Sequence, residues 1–150
     1  ANYRSGELDE AGLAACRYLA LYPSSKDVPY VLWLKATAYF AQIKDITAAT
    51  FEAAARGMSI HFQPLPNAFE VFGLDFMVGI EEDGGLNTYL LEVNAFPDFR
   101  QTGDELSGMI EGLFEGVVEE AVAPFFEMEK QRGEEETKMV RVLDVDLGRR

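Results

Sequence analysis

The chain has 150 residues, 48% of them apolar, and a formal net charge of −13 from 26 acidic and 13 basic residues. That length allows one domain or two small ones, and the apolar share excludes a disordered chain. The acidic balance opposes binding to nucleic-acid phosphates or anionic lipid; no apolar run reaches membrane-spanning length, and the lone Cys16 leaves neither an internal disulfide nor a zinc site.

Charge is unevenly spread. Residues 1–47 hold five bases and five acids, whereas residues 48–150 hold eight bases and 21 acids and so carry the whole net charge. The step near Ile46, Thr47 and Ala48 predicts a seam between a segment 1–47 and a segment 48–150. In the first segment Leu8, Ala11, Ala15 and Leu19 recur at helical spacing, predicting a helix over residues 7–21. Tyr22, Pro23 and two serines break it. Asp27 suits an N-cap and Pro29 a first turn, so a second helix is expected over residues 28–43. Together these form an αα-hairpin. Cys16 follows Leu-Ala-Ala, but charged residues precede it where a lipoprotein signal needs an apolar run, so it reads as a packed small residue.

Residues 48–57 are strong helix formers ending at Gly57, and residues 58–63 alternate enough for a short strand. Pro64 and Pro66 stiffen the connection that follows. His61, the sole histidine, reads first as a surface or packed residue and second as a contact near a nucleotide; it has no neighbours at the spacing of a transition-metal site.

Two strand-like runs come next, VFGLDFMV at 71–78 and TYLLEVNA at 88–95, around a glycine-containing turn with Gly84 and Gly85. An antiparallel hairpin is expected. Each run places a carboxylate among apolar residues, Asp75 in one and Glu92 in the other, and such a group loses hydration unless something compensates it. Strand alternation puts Glu92 and Asn94 on one face. If Asp75 shares that face, three oxygen-bearing side chains converge into a set that suits Mg²⁺. The competing account is a solvated strand face.

Arg100 lies just beyond the second run, where its planar fork suits a phosphate or a substrate carboxylate, or equally a salt bridge to Asp98 or Asp104. Thr102 and Glu105 fit a capping box. The helix expected over residues 103–126 carries Leu106, Met109, Ile110, Leu113 and Val117 as an apolar stripe to pack on the back of the hairpin, and Pro124 ends it. Residues 127–138 read as a charged linker. Residues 138–147 alternate like an edge strand, with Asp144 and Asp146 on its solvated face.

The segment YRSGELDEAGLAACRYLALYPSSKDVPYVLWLKATAYFAQI, residues 3–43, resembles a tetratricopeptide-type repeat, in particular that of the lipoprotein in the bacterial outer-membrane β-barrel assembly complex. That resemblance implies a module for a protein partner, and a periplasmic setting as the alternative to a cytoplasmic one. The runs LPNAFEVFGLDFMV, residues 65–78, and LLEVNAFPDFRQTGDEL, residues 90–106, resemble the tubulin–tyrosine ligase family, especially its fungal members, over about residues 51–126. Asp75 followed by Glu92-Val93-Asn94 is similar to the metal-binding end of the ATP-grasp fold. The two resemblances make the chain a join of two families, natural or constructed.

The expected fold class is therefore α+β: a tetratricopeptide-like αα-hairpin, then a partial ATP-grasp unit whose antiparallel β-hairpin packs on a long helix. The ligase resemblance implies Mg²⁺ and ATP as cofactors, with Asp75, Glu92 and Asn94 binding both; Arg100, by its own chemistry, is the candidate at the reacting groups. It implies an enzyme that joins a protein C-terminal carboxylate, of the tubulin-tail kind, to tyrosine through an acyl phosphate. The nucleotide-holding lysines and adenine strand of such enzymes have no match in residues 1–47, so a ligase fragment, inactive alone, is expected. Neither nucleic acid nor a membrane span is expected.

Overall fold

The computed structural model describes residues 5–58, 60–63, 65, 68–81, 86–95, 97–101, 103–126 and 139–148. Two helices come first, α1 (Ser5–Leu21) and α2 (Val28–Gly57). They pack side by side through small residues: Gly12 and Ala15 of α1 and Val31 and Ala38 of α2 are buried. The connection is held by polar groups. The Tyr18 hydroxyl lies 2.8 Å from Ser25 Oγ and donates to Asp27 Oδ2 at 3.4 Å, while the Asp27 N–H donates to Ser25 Oγ at 3.2 Å. Asp27 occupies the N-cap position as expected, but its side chain makes no capping hydrogen bond.

α2 corrects the expected helix ends. It does not stop near residue 43 but runs 30 residues, straight through the charge step at residues 46–48. The reason is local: no Gly or Pro stands between Pro29 and Gly57, and a change in charge density is not a stop signal. Thr47 is accommodated by donating its hydroxyl to the Ile43 carbonyl at 2.7 Å. Gly57 is the last helical residue, and Met58 closes the helix by donating its N–H to the Ala54 carbonyl.

The strand expected at residues 58–63 is absent. Among the described residues of that stretch, the His61 and Phe62 N–H groups both bond back to the Met58 carbonyl, at 2.9 and 2.7 Å, which makes a turn and takes those two donors away from a ladder. Phe51 of α2 meets Phe62 at 6.1 Å and Phe72 at 5.4 Å between ring centroids. These contacts pin the following chain to α2 and set the entry to the hairpin.

The hairpin forms as expected, with β1 (Gly73–Ile80) and β2 (Leu86–Asn94) antiparallel in a two-stranded sheet. Its main helical cover comes from α2 and α1, and the Thr88 hydroxyl, buried on β2, donates to Gln42 Oε1 at 2.6 Å. The expectation that the helix after residue 103 would cover the sheet is thus corrected. The intervening α2 already occupies that face.

After the sheet come a 3₁₀ turn at Asp104–Leu106, α3 (Ser107–Val117), a π-helical turn at Val118–Val122 and a 3₁₀ turn at Ala123–Phe126. The wider π turn lies just before Pro124, whose ring disrupts regular α-helical bonding. Gly103 holds the N-cap position of the first turn with φ 73°; the Thr102 of the expected capping box lies outside the described residues. The α3 stripe instead faces the chain's last described segment: Leu113 and Val117 line a groove with Met139 and Val142, and Met139 lies over Gly116. Residues 139–148 have no ladder partner among the described residues, so the expected edge strand is not formed there. Asp144 pairs with Arg141 at 3.3 Å and Asp146 accepts the Gly148 N–H at 2.8 Å. The expected linker, residues 127–138, lies outside the described residues.

The core is shallow. Ala15, Val31, Ala38 and Ala55 are the buried apolar residues among those described, and no large side chain is fully buried.

Candidate functional site

The open face of the hairpin is built by a register shift. From the turn inward the strands pair Ile80 with Leu86, Val78 with Thr88 and Phe76 with Leu90; then Asp75 pairs with Glu92, so Leu91 is an extra residue on β2. That β-bulge reverses the alternation of everything beyond it. Thr88 and Leu90 face the helices with Val78 and Phe76. Without the bulge Glu92 and Asn94 would follow Thr88 inward; with it they turn to the opposite, open face beside Asp75.

The three candidate residues therefore meet. Asn94 Nδ2 donates to Asp75 Oδ2 at 3.2 Å and to Glu92 Oε1 at 3.0 Å. The amide bridges two carboxylates held opposite each other across the strands. Their titration is split in opposite directions. Hydrogen bonding to Glu92 raises the Asp75 pKa above its usual range, aided by the nearby charge, while hydrogen bonds from Asn94 and Asp75 lower that of Glu92. The cause is that two carboxylates this close share a proton more readily than they hold two charges.

Further along the same face lies a second polar group that strand alternation alone did not single out. Tyr89 pairs with Met77, and Asn87 with Gly79. The Tyr89 hydroxyl donates to Glu81 Oε1, and Asn87 Nδ2 donates to the same oxygen at 3.2 Å. Gly79 leaves the ring room there: a Cβ at that position would lie 3.1 Å from Tyr89 Cε2, close enough that the ring would have to give by a few tenths of an ångström. The available signal was the period-2 spacing of Glu81, Gly79, Met77 and Asp75 on β1 and its extension.

Arg100 makes the salt bridge that was one of its two expected fates. Its Nη2 donates to Asp98 Oδ2 at 2.7 Å, its Nε to Oδ1 at 2.9 Å, and its backbone N–H to Oδ1 at 3.0 Å. The guanidinium holds the Asp98 carboxyl below the usual range. Because the Arg100 side chain is 89% exposed, it remains accessible from solvent. His61 is exposed and lines an open groove of about 1160 Å³ bounded by Phe51, Phe72, Leu113 and Val142. Leu74, from the covered side of the sheet, also lines that groove, which places it behind the acidic face.

Asp75, Glu92 and Asn94 are hard oxygen donors of the kind Mg²⁺ takes, with room left for water and phosphate on an exposed face. A half-turn of the Asn94 amide exchanges Nδ2 for Oδ1 at the point between the carboxylates. Two carboxylates and an amide oxygen leave coordination positions open, a donor set that suits a cation shared with a phosphate ligand rather than a closed protein cage; no group of three or more His, Cys, Asp or Glu that could hold a metal occurs among the described residues.

The sequence profile of the tubulin-tyrosine ligase family matches residues 28–131, a span that includes all three residues, Arg100, and the whole of α2. The chain is 54% identical over 93 residues to a probable tubulin–tyrosine ligase of Schizosaccharomyces pombe, covering 62% of this chain and 22% of that protein. It is 43% identical over 105 residues to a probable tubulin–tyrosine ligase of Saccharomyces cerevisiae, covering 69% of this chain and 13% of that one. The chain thus spans less than a quarter of the length of these curated relatives. No solved structure matches it significantly, and no helix among the described residues is long and apolar enough to cross a membrane. With a family match over more than half its length, the chain belongs to the tubulin–tyrosine ligase family.

Proposed function

We propose that this chain carries the metal- and phosphate-binding strands of an ATP-dependent carboxylate–amine ligase that adds tyrosine to a protein's C-terminal carboxylate, of the tubulin-tail kind, in the cytoplasm. The observation that carries this is the convergence of Asp75, Glu92 and Asn94 on the open face. In such a reaction a carboxylate oxygen attacks the γ-phosphorus of ATP and ADP leaves. The tyrosine amine then attacks the acyl carbon, phosphate departs, and the nitrogen loses a proton. Mg²⁺, when bound, neutralises charge on the phosphate oxygens. The roles of the chain's own residues are to bind and orient. Asp75 and Glu92 supply anionic oxygens, Asn94 spaces them, and Arg100, released from Asp98, meets a phosphate or the substrate carboxylate. None is a nucleophile. On this reading the 150-residue chain binds Mg·ATP without completing the ligation.

Calorimetric titration of Mg·ATP into the chain, beside an Asp75→Ala, Glu92→Gln double variant, tests the proposal. Magnesium-dependent binding by the unaltered chain that vanishes in the variant is expected. Equal binding by both, or binding by neither, overturns it.

A second reading comes from α1 and α2. Tyr30 and Trp33 stand 61% exposed with their rings stacked 6.0 Å apart, a surface suited to a protein partner as a tetratricopeptide-like pair would be. A Tyr30→Ala, Trp33→Ala variant that keeps Mg·ATP binding but loses a partner retained by the unaltered chain would support it; a variant that retains every such partner would exclude it.

A further inference from the structure

α1 and β2 both lie against one side of α2. Val31 and Ala38 are buried there, and Gln42 accepts the Thr88 hydroxyl of β2. Trp33 stands nine residues before Gln42. At about 100° per residue that is half a turn away, on the opposite side of the helix. This opposite side is an apolar stripe. Pro29 and Tyr30, then Trp33, then Ala36 and Thr37, then Phe40 follow at helical spacing, and all are exposed. Lys44 closes the row, its Nζ 5.1 Å from the centroid of the Phe40 ring. Tyr30 and Trp33 are stacked and 61% exposed, and Phe40 is 49% exposed. The Thr37 hydroxyl donates to the Trp33 carbonyl at 2.9 Å, so it is satisfied within the helix.

The stripe reads alike in both directions. Trp33 lies three residues before Ala36, and Phe40 three residues after Thr37. A twofold axis requires a patch that complements itself, with residue i meeting j and j meeting i. About an axis between Ala36 and Thr37, an antiparallel second helix sets each Trp33 against the other copy's Phe40, and the small pair lets the backbones approach. Charge agrees. The chain carries −13 in all, yet residues 28–44 contain two lysines and no acid. Lys35 is off the stripe, its Nζ 5.6 Å from the centroid of the Tyr39 ring. Lys44 of each copy comes to the start of the other's α2, where Asp27 is exposed. The antiparallel arrangement also carries the acidic segments, residues 48–150, towards opposite ends. The three rings, at about 200 Å² apiece, expose roughly 350 Å² on each copy. That is below the about 800 Å² per partner of a standard interface, so the association is weak and reversible.

Resting on the second reading above, that this surface meets a protein, we propose that the partner is a second copy of this chain, docked antiparallel along α2 through Trp33, Phe40 and the Lys44–Asp27 pairs.

Sedimentation velocity of the full chain over a concentration series tests it. The expected result is a monomer–dimer equilibrium with a dissociation constant of about 10–500 μM, suited to so small an interface. Trp33→Glu and Phe40→Glu, both at exposed positions, should each weaken the dimer at least about tenfold, with the far-UV circular dichroism unchanged. Lys44→Glu alone should weaken it as well, and adding Asp27→Lys should restore it, because the pair is then reversed rather than lost. A monomer at every concentration overturns the inference. So does a dimer that both Glu substitutions leave intact, which would place the contact elsewhere, or a double charge reversal that recovers nothing, which would rule out the antiparallel register. A chain that stays monomeric but loses a different protein with Tyr30→Ala, Trp33→Ala overturns this inference and leaves the second reading standing. A monomeric chain that loses no protein with those substitutions removes both.

Discussion

The link between α2 and the site-bearing sheet is predicted to run through one hydroxyl, and stepwise truncation of Thr88 should expose it. Thr88 is the buried polar residue among those described, and its hydroxyl donates to Gln42 Oε1 at 2.6 Å. Thr88→Ser removes a buried methyl, a loss of about 0.8 kcal/mol on the scale of a buried CH₂. Going on to Ala removes the hydrogen bond as well, a further net cost of about 0.5–1.5 kcal/mol. Gln42 is half-buried, so its freed oxygen rehydrates and adds little. The Ala variant should therefore be less stable by about 1–2.5 kcal/mol, and the Ser variant by less than half of the larger figure. Urea unfolding reads this directly: with a slope of about 1–3 kcal/mol per molar for a small protein, each kcal/mol moves the midpoint by roughly 0.3–1 M. In a Gln42→Ala background the Ser-to-Ala step should shrink towards zero, because the two residues act as one pair. Equal midpoints for Ser and Ala in the original background would refute the reasoning and leave methyl packing as what Thr88 contributes.

Two further predictions concern groups at either end of the chain's ordered contacts. Magnesium affinity should fall on acidification sooner than for an isolated aspartate. The Asp75 carboxyl holds its proton to higher pH than usual, and a proton and a cation compete for the same oxygens. Glu92→Gln removes the chief cause of that shift, so it should move the acid limb to lower pH while weakening binding overall; a pH series of magnesium titrations checks both, and an unmoved limb would contradict the shared-proton account. At α3, Gly116→Ala would place a Cβ 2.9 Å from Met139 Cγ and 3.0 Å from its Cε. Alanine favours a helix by about 1 kcal/mol over glycine, and the 36% exposed Met139 has somewhere to go. The expected result is an unfolding midpoint unchanged or slightly raised, with a displaced Met139 methyl resonance by NMR; an unmoved resonance would show that the two do not touch.

Local rules reached the parts of the fold that are locally determined. The break at Tyr22–Pro23, the start of α2 beside Pro29, and both strands around Gly84 and Gly85 follow from backbone preferences within a few residues. The convergence of Asp75, Glu92 and Asn94 was also within reach, because a carboxylate inside each apolar strand needs a reason. What could not be read depended on distant partners. The stretch at 58–63 has strand-like alternation, but it finds no ladder partner among the described residues and its His61 and Phe62 N–H groups turn back on the Met58 carbonyl. Residues 139–148 alternate equally well and form no ladder among the described residues. The seam drawn at 46–48 used charge, which reports solvent exposure and says nothing about where a helix ends. The apolar stripe from Leu106 to Val117 has the pattern of a sheet-facing helix, but α2, 30 residues long, takes that place against β2.

The bulge shows that the convergence of Asp75, Glu92 and Asn94 rests on more than strand alternation. Strict alternation puts Thr88, Leu90, Glu92 and Asn94 on one face, and that face cannot serve both ends of β2. Thr88 is buried against Gln42, so an unbulged strand would carry Glu92 and Asn94 towards the helices, where an ionised carboxylate is costly. Turning the strand over to free them would instead expose Thr88 and break its bond to α2. One extra residue at Leu91 resolves the conflict by reversing parity between the two ends. The outcome is visible in exposure: Leu91, apolar and next to Glu92, stands 60% exposed. The same shift that brings Asp75 and Glu92 opposite each other leaves Tyr89 on their face and Thr88 on the other. The tie of Thr88 to α2 and the placing of Glu92 and Asn94 beside Asp75 are therefore compatible only through the single insertion in the ladder.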